Sequence, residues 1–196
     1  MYSDHMSTTE RLIESTQELL WERGYVGTSP KAIQQRAGAG QGSMYHHFRG
    51  KPDLALTAIR RTAEQLRAAA EASFSAPGAG AYERVRGYLL RERDVLRGCP
   101  VGRLTMDPDV IADPELRRPV EETLDWLRGR LAEIVAEGQR QGEFVADLDP
   151  ARIAATVVAT VQGGYVLARA AGTTTHFDLA VRGLLDLLAA ARTPAA

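Results

Sequence analysis

Much that would announce a function is missing from this chain. It has one cysteine, Cys99, in 196 residues, which excludes an internal disulfide framework and a cysteine-built zinc cluster and fits a reducing compartment. Its 24 basic and 25 acidic side chains leave a net charge of −1. Indiscriminate coating of DNA or of an acidic membrane is thereby excluded, and any nucleic-acid contact must rest on a local patch. The opening segment, MYSDHMSTTE, is polar and lacks the apolar centre of a signal peptide. No apolar run approaches the roughly 18 residues of a membrane span. A soluble, cytoplasmic protein with no membrane partner is expected. There is no nucleophile elbow, phosphate loop, His-Glu-x-x-His or paired-carboxylate motif, so neither an enzyme nor a cofactor or metal is predicted. No segment reads as a strand, and no internal repeat is present.

What is present is helix punctuation. Residues 1–6 read as a disordered tail. Ser7-Thr8-Thr9-Glu10 has capping-box spacing ahead of Leu12, Ile13, Thr16, Leu19 and Leu20, and Gly24 closes that first helix. Ser29-Pro30 opens a second, with Ser29 as cap and Pro30 where its missing N–H costs nothing, and Gly38 ends it. A third runs from Gln41 to Phe48, and Gly50-Lys51-Pro52-Asp53 starts a fourth that fades near Phe74. After the loop SAPGAG, a helix from Tyr82 to Arg97 is expected, with Tyr82, Val85, Tyr88, Leu89 and Leu96 on its apolar face. Asp107-Pro108, Asp113-Pro114 and Asp149-Pro150 are helix starts, and a last helix spans His176 to Ala191. The fold class is all-α, with about nine helices.

The stretch from Thr28 to Leu54 organises the rest. It reads as helix, Ala37-Gly38-Ala39-Gly40 turn, helix. Lys31, Arg36, Arg49, Lys51, Arg60 and Arg61 lie within or just beyond it, against one acid, Asp53. Met44 and Phe48 at i, i+4 form the buried side of the third helix, helped by Tyr45. In a helix-turn-helix the second helix enters the major groove and its early exposed residues reach base edges. Here those are Gln41, Ser43, His46 and His47, with the Tyr45 hydroxyl added. Gln can pair with adenine, and Ser can bond several bases. Thr28, Ser29, Lys31 and Lys51 stand near helix N-termini, where hydroxyls, free amides and ammonium groups suit phosphate. A plain three-helix packing unit with a polar surface is the competing reading. His46-His47 as metal ligands is disfavoured, since neighbours on a helix diverge by about 100°.

Residues 11–59 resemble the N-terminal DNA-binding domain of the TetR family of bacterial transcriptional regulators. The resemblance rests on Gly24-Tyr25, Thr28-Ser29, Ile33, Ala37-Gly38, Gly42-Ser43-Met44-Tyr45-His46-His47-Phe48 and Lys51-Pro52-Asp53-Leu54. It implies a homodimer with a DNA-binding head over 1–55, an effector-binding and dimerisation body over 56–196, and final helices paired across the dimer. Three positions depart from the family pattern: Gln34 for Ala, Gly40 for a Ser/Thr cap, and Gln41 for a basic or small polar residue.

The body is less legible. IAATVVATVQGGYVLARAA is apolar or small almost all round, so it must bury more than one face. It is either an internal core helix or a subunit interface shared with the last helix. The interface candidates are Val157, Val161, Gly164, Leu184 and Leu188. Tyr82, Tyr88, Met106, Trp126, Gln162 and Tyr165 can line an effector cavity, or can be ordinary core. Cys99 is read as a semi-buried structural thiol. The functional expectation is a repressor that binds a pseudo-palindromic double-stranded operator and is released by a small molecule. The alternatives are an activator or architectural protein, or a small-molecule-binding protein or enzyme that does not use its head.

Overall fold

A computed structural model of the chain describes residues 6–194. Among them are nine α-helices and no strand: α1 (Thr8–Arg23), α2 (Pro30–Ala37), α3 (Gln41–His47), α4 (Lys51–Phe74), α5 (Ala81–Leu90), α6 (Pro108–Ala112), α7 (Pro114–Arg140), α8 (Pro150–Ala171) and α9 (Thr175–Ala190). A 3-10 turn, Gly102–Met106, precedes α6. The start signals act as read. Ser7, Ser29, Asp107 and Asp149 each accept backbone amides of the first turn they cap. The expected tail lies outside the described residues except for Met6, whose carbonyl accepts from Arg11 Nη1 at 3.1 Å.

Helix α5 is shorter than its apolar spacing suggested. It stops at Leu90, where Arg91 turns extended, and Leu96 is exposed instead of continuing the buried face. The cause is a side chain. Arg93 folds back so that Nη2 donates to the Tyr88 carbonyl, one of the last acceptors of the helix, and Nε donates to the Arg91 carbonyl at 3.2 Å. The other end of α5 is capped from afar. Gly80 offers no side chain, and the Glu143 carboxylate accepts from the amides of Ala81 (2.6 Å) and Tyr82 (3.1 Å). Glu143 therefore serves as the N-terminal cap of α5, a role no local pattern announces.

The packing forms two compact units. One holds the described residues up to Gln65 together with Pro100–Glu121; the other holds Leu66–Cys99 and the chain from Glu122 onward. The first unit thus takes α1–α3, the start of α4, the 3-10 turn, α6 and the start of α7, so residues 100–121 return to the head that a boundary at 55 would have kept separate. Arg103 Nη2 donates to the Glu22 carbonyl at 2.9 Å, and the Asp107 carboxylate accepts from the Val26 amide at 3.0 Å.

In the second unit α8 and α9 pack along their length. A Cβ at Gly164 would lie 2.8 Å from the Phe177 ring, so only glycine allows this approach. This contact corrects the expected interface. Val157, Val161, Gly164, Leu184 and Leu188 are all buried within the single chain, on the seam between α8 and α9. The outer face instead carries Ala155, Ala159, Gly163, Val166 and Leu167 on α8, with Leu179, Gly183 and Leu187 on α9. An all-round apolar helix has two candidate faces, and periodicity cannot say which one meets its own neighbour. By length and composition α8 also qualifies as a membrane span, contrary to the expectation that no run would; here Ala154, Val157, Val161 and Ala168 are buried in the protein.

Helices α4 and α7 are tied by a charged pair. Arg130 Nη2 donates to Glu71 Oε1 at 2.8 Å and Nε donates to Oε2 at 3.0 Å, and the Ser75 hydroxyl donates to Oε1 at 2.5 Å. The Arg130 bonds first, then Ser75, hold the Glu71 carboxyl at about 2 against an ordinary 4.5. A carboxyl lowered on folding stabilises the protein above its unfolded pKa, and that contribution is lost as pH falls toward the folded value. Glu71 is 37% exposed, so solvent screens part of the effect. Glu71→Gln is expected to flatten the loss of stability between about pH 4.5 and pH 2. Urea midpoints across that range provide the measurement, and an acid limb identical to the parent's would remove the pair from the acid response.

Candidate nucleic-acid interface

Three helices build the surface. The Ser29 hydroxyl accepts from the Ala32 amide at 3.2 Å and starts α2. Gly38 closes it in the left-handed conformation at φ 59°, which favours glycine because it has no Cβ to clash. Arg11 Nε donates to the Ala37 carbonyl at 3.0 Å, so α1 holds the end of α2. Gly40 begins α3 without a side-chain cap. Ile33, Ala37, Met44 and Phe48 are buried and fix the angle between the two helices. Gln34, the departure from Ala, reaches across that angle, its Nε2 lying 3.5 Å from Met44 Sδ.

With Met44 and Phe48 inward, Gln41, Tyr45, His46 and His47 are exposed and Ser43 is half-buried. At about 100° per residue, His46 stands roughly 160° from both Met44 and Phe48, opposite the core. Tyr45 is 50% exposed, so it belongs to the surface and gives the core no help. The imidazoles of His46 and His47 meet edge to face with centroids 4.9 Å apart. The structure therefore gathers all five expected base readers on one short helix.

The expected phosphate group is less uniform. Ser29 and Lys31 are exposed at the start of α2. Thr28 is not: it is 1% exposed, and its hydroxyl donates to the Gly24 carbonyl at 2.7 Å. Its hydroxyl closes the turn between α1 and α2, which corrects its assignment to phosphate. Lys51 Nζ lies over the Tyr25 ring, 3.8 Å from its centroid, in a cation–π contact. Burial lowers the Lys51 pKa, while Asp109 and Asp107 pull the other way. Burial likewise raises the Tyr25 pKa, with Asp113, Asp109 and Asp107 adding to it.

The apparent basic surplus is also smaller in space than in sequence. Arg36 Nη1 pairs with Glu22 at 2.8 Å, and Arg61 Nη1 with Glu10 at 2.5 Å. Arg49 lies 3.6 Å from Asp53 yet remains almost fully exposed. The acids that meet Arg36 and Arg61 come from α1, outside the stretch where the charge was counted. Lys31, Arg49 and Arg60 remain as exposed cations.

In the second unit, the aromatic cavity residues separate. Tyr88 and Tyr165 are buried, with Phe74 5.0 Å from the Tyr88 ring and Phe177 5.0 Å from the Tyr165 ring. Burial pushes the Tyr88 hydroxyl up to about 12. Trp126 packs 6.3 Å from Phe74, Tyr82 is covered by Arg192 at 4.9 Å, and Gln162 is half-buried. Met106 does not join them: it is 85% exposed and belongs to the first unit, because the 3-10 turn returns to α1. Phe74 and Phe177, which pack against Tyr88 and Tyr165, and Arg91 and Arg93, which lie over the Tyr88 ring, were not among the expected residues. The run Arg91-Glu92-Arg93-Asp94 lies inside the helix expected from Tyr82 to Arg97, and nothing local marks it as turning inward.

Residues 12–58 match the family model described as bacterial regulatory proteins, tetR family, and residues 81–184 match the tetracyclin repressor-like C-terminal domain. An HTH-type transcriptional regulator of Mycobacterium tuberculosis is 30% identical over 189 residues, 92% of this chain and 94% of its own length. The HTH-type transcriptional repressor DhaR of a Mycobacterium species is 24% identical over 79% of this chain and 78% of its own. Among solved structures, a TetR transcriptional regulator from Chloroflexus aurantiacus superposes with a TM-score of 0.84 at 27% identity, covering 96% of this chain and 97% of that one.

Proposed function

The chain belongs to the TetR family of bacterial regulatory proteins, and from that premise we propose that it is a homodimeric repressor released from its operator by a small molecule. Two α3 helices would enter successive major grooves of a pseudo-palindromic double-stranded site, roughly one helical turn apart. The exposure of α3 carries this reading, since Gln41, Tyr45, His46 and His47 are exposed and Ser43 half-buried, and their donors and acceptors are open to a partner while Met44 and Phe48 face the core. The repressor role is supported by similarity to a protein named as one. Dimerisation is supported by the unpartnered apolar face of α8 and α9. Release requires an effector that binds the non-operator state more tightly than the DNA-bound state.

Selection of bound sites from a randomised duplex pool tests the head directly, and a pool returned without enrichment would overturn operator recognition. Within such a site, Lys31→Ala is expected to weaken binding to all sequences alike. It should also lower the salt slope by about 0.9 per head, because one phosphate contact is removed from each. Thr28→Val should leave that slope unchanged. A Thr28 variant that flattened the slope as much as the Lys31 variant would restore Thr28 to the phosphate group.

A further inference from the structure

Two guanidinium groups in the second unit have entered the protein without an acid to meet them. Arg91 and Arg93 lie on the turn that ends α5, their carbons 5.4 and 5.5 Å from the centroid of the buried Tyr88 ring, and Arg93 is also 5.4 Å from Phe177. Neither forms an ion pair among the described residues. Two N–H groups, Arg91 Nε and Arg93 Nη1, are buried with no hydrogen-bond acceptor. Burial is the main influence on Arg93 and lowers its pKa; the Tyr165 hydroxyl beside it pulls the other way, and neighbouring Arg91 lowers it further. Elsewhere in this unit the half-buried Arg130 and Arg84 find acids, Glu71 and Glu137, while Arg67 donates to the Thr123 hydroxyl at 3.0 Å and leaves its own Nε without an acceptor. A desolvated cation left unpaired is expensive, and two side by side repel each other.

A cleft of about 230 Å³ opens at this pair, between the α5 turn and the first half of α9. Leu89, Phe177 and Val181 form its apolar wall, and Arg182 adds a third cation. Two acids, Glu92 and Asp178, also border it, but both are exposed, and the Asp178 carboxylate accepts from the Thr174 hydroxyl at 3.2 Å. At about 30 Å³ per water in the liquid, the cleft has space for roughly eight non-hydrogen atoms.

We propose that this cleft is the effector site and that its occupant is a small organic carboxylate, its two oxygens received by the unpaired N–H groups of Arg91 and Arg93 and its apolar body lying against Leu89, Phe177 and Val181. The planar guanidinium fork matches a carboxylate in geometry and charge. Inorganic phosphate has the charge but nothing to place on the apolar wall. The aromatic rings beneath the two arginines hold them in position while the site is empty, which lowers the ordering cost on binding. The assignment rests on the reading of the chain as an effector-responsive regulator, but its test does not require DNA.

The test is calorimetric titration of the full-length protein with benzoate and hexanoate, each beside its neutral amide, benzamide and hexanamide, and with inorganic phosphate. Binding of at least one carboxylate, at least tenfold tighter than its amide and than phosphate, is expected. Equal binding of acid and amide, phosphate binding as tight as the acids, or no binding of either acid would overturn the proposal. Arg91→Met is the matched variant, because among the described residues the Arg91 side chain donates no hydrogen bond, and its loss leaves the Arg93 bond to the Tyr88 carbonyl in place. It is expected to keep the parent's Tm and lose carboxylate affinity at least tenfold; unchanged affinity would remove Arg91 from the site. Operator affinity is then measured with and without the bound acid. If the acid binds and operator affinity does not change, a carboxylate site stands but its assignment as the effector site is overturned.

Discussion

Leu187→Arg is expected to yield a monomer and to weaken operator binding by at least about a hundredfold, near 2.8 kcal/mol. In the single chain Leu187 is 70% exposed, so an arginine there should change the stability of the folded monomer by less than about 0.5 kcal/mol. The effect appears only when two chains meet. Leu179, Gly183 and Leu187 follow one another on the same side of α9, and Ala155, Ala159, Gly163 and Val166 do so on α8. The small residues let a facing helix approach, and the large ones supply the area to be buried. A two-fold interface is self-complementary, so one substitution introduces two charges into the contact. A central interface position commonly costs about 2–4 kcal/mol when spoiled. Sedimentation velocity reads the mass, and mobility shift on a selected site reads the affinity. A Leu187→Arg protein that still sediments as a dimer would place the interface elsewhere.

Asp107→Ala should lower the unfolding free energy by about 2–4 kcal/mol while leaving the dimer intact. The buried carboxylate of Asp107 serves two stretches distant in sequence. Oδ1 accepts from the Asp109 and Val110 amides at 3.2 and 3.4 Å and starts α6, and Oδ2 accepts from Val26 at 3.0 Å in the turn between α1 and α2. Losing a helix cap costs about 1 kcal/mol, and losing the charge-assisted bond to the part-buried Val26 amide costs about 1 kcal/mol or more in addition. The site is tight as well: a Cβ on Gly24, at φ 74°, would lie 2.8 Å from Oδ2. Because the same turn leads into α2, operator affinity should fall with stability. Urea unfolding of the first unit's reporter Trp21 provides the measurement, and a variant within about 0.5 kcal/mol of the parent would show that water replaces the carboxylate.

The contrast between these residues shows what was legible. Asp107 could be read as a helix cap because Asp-Pro is a local signal, satisfied within the next turn of chain. Its bond to Val26 could not be read, since 81 residues separate them. Glu143 shows the same limit from the other side: its neighbours mark a turn, but the helix it caps begins about sixty residues earlier. Charge was misjudged for a related reason. Counting along Thr28–Arg61 saw a basic surplus, whereas Glu10 and Glu22 of α1 come round to pair with Arg61 and Arg36.

By itself the sequence determined the all-α class, the starts of the helices, the helix-turn-helix with Ile33, Ala37, Met44 and Phe48 inside, and the family. These rest on interactions within a few residues, where hydrogen-bonding geometry and a 3.6-residue period leave little choice. Tertiary structure alone decided which side of α8 meets α9, that Thr28 is buried, that residues 100–121 pack with the head, and that Arg91 and Arg93 turn inward without acids. Each depends on which distant surface arrives opposite, and a helix period states only that a face must be covered, never by what.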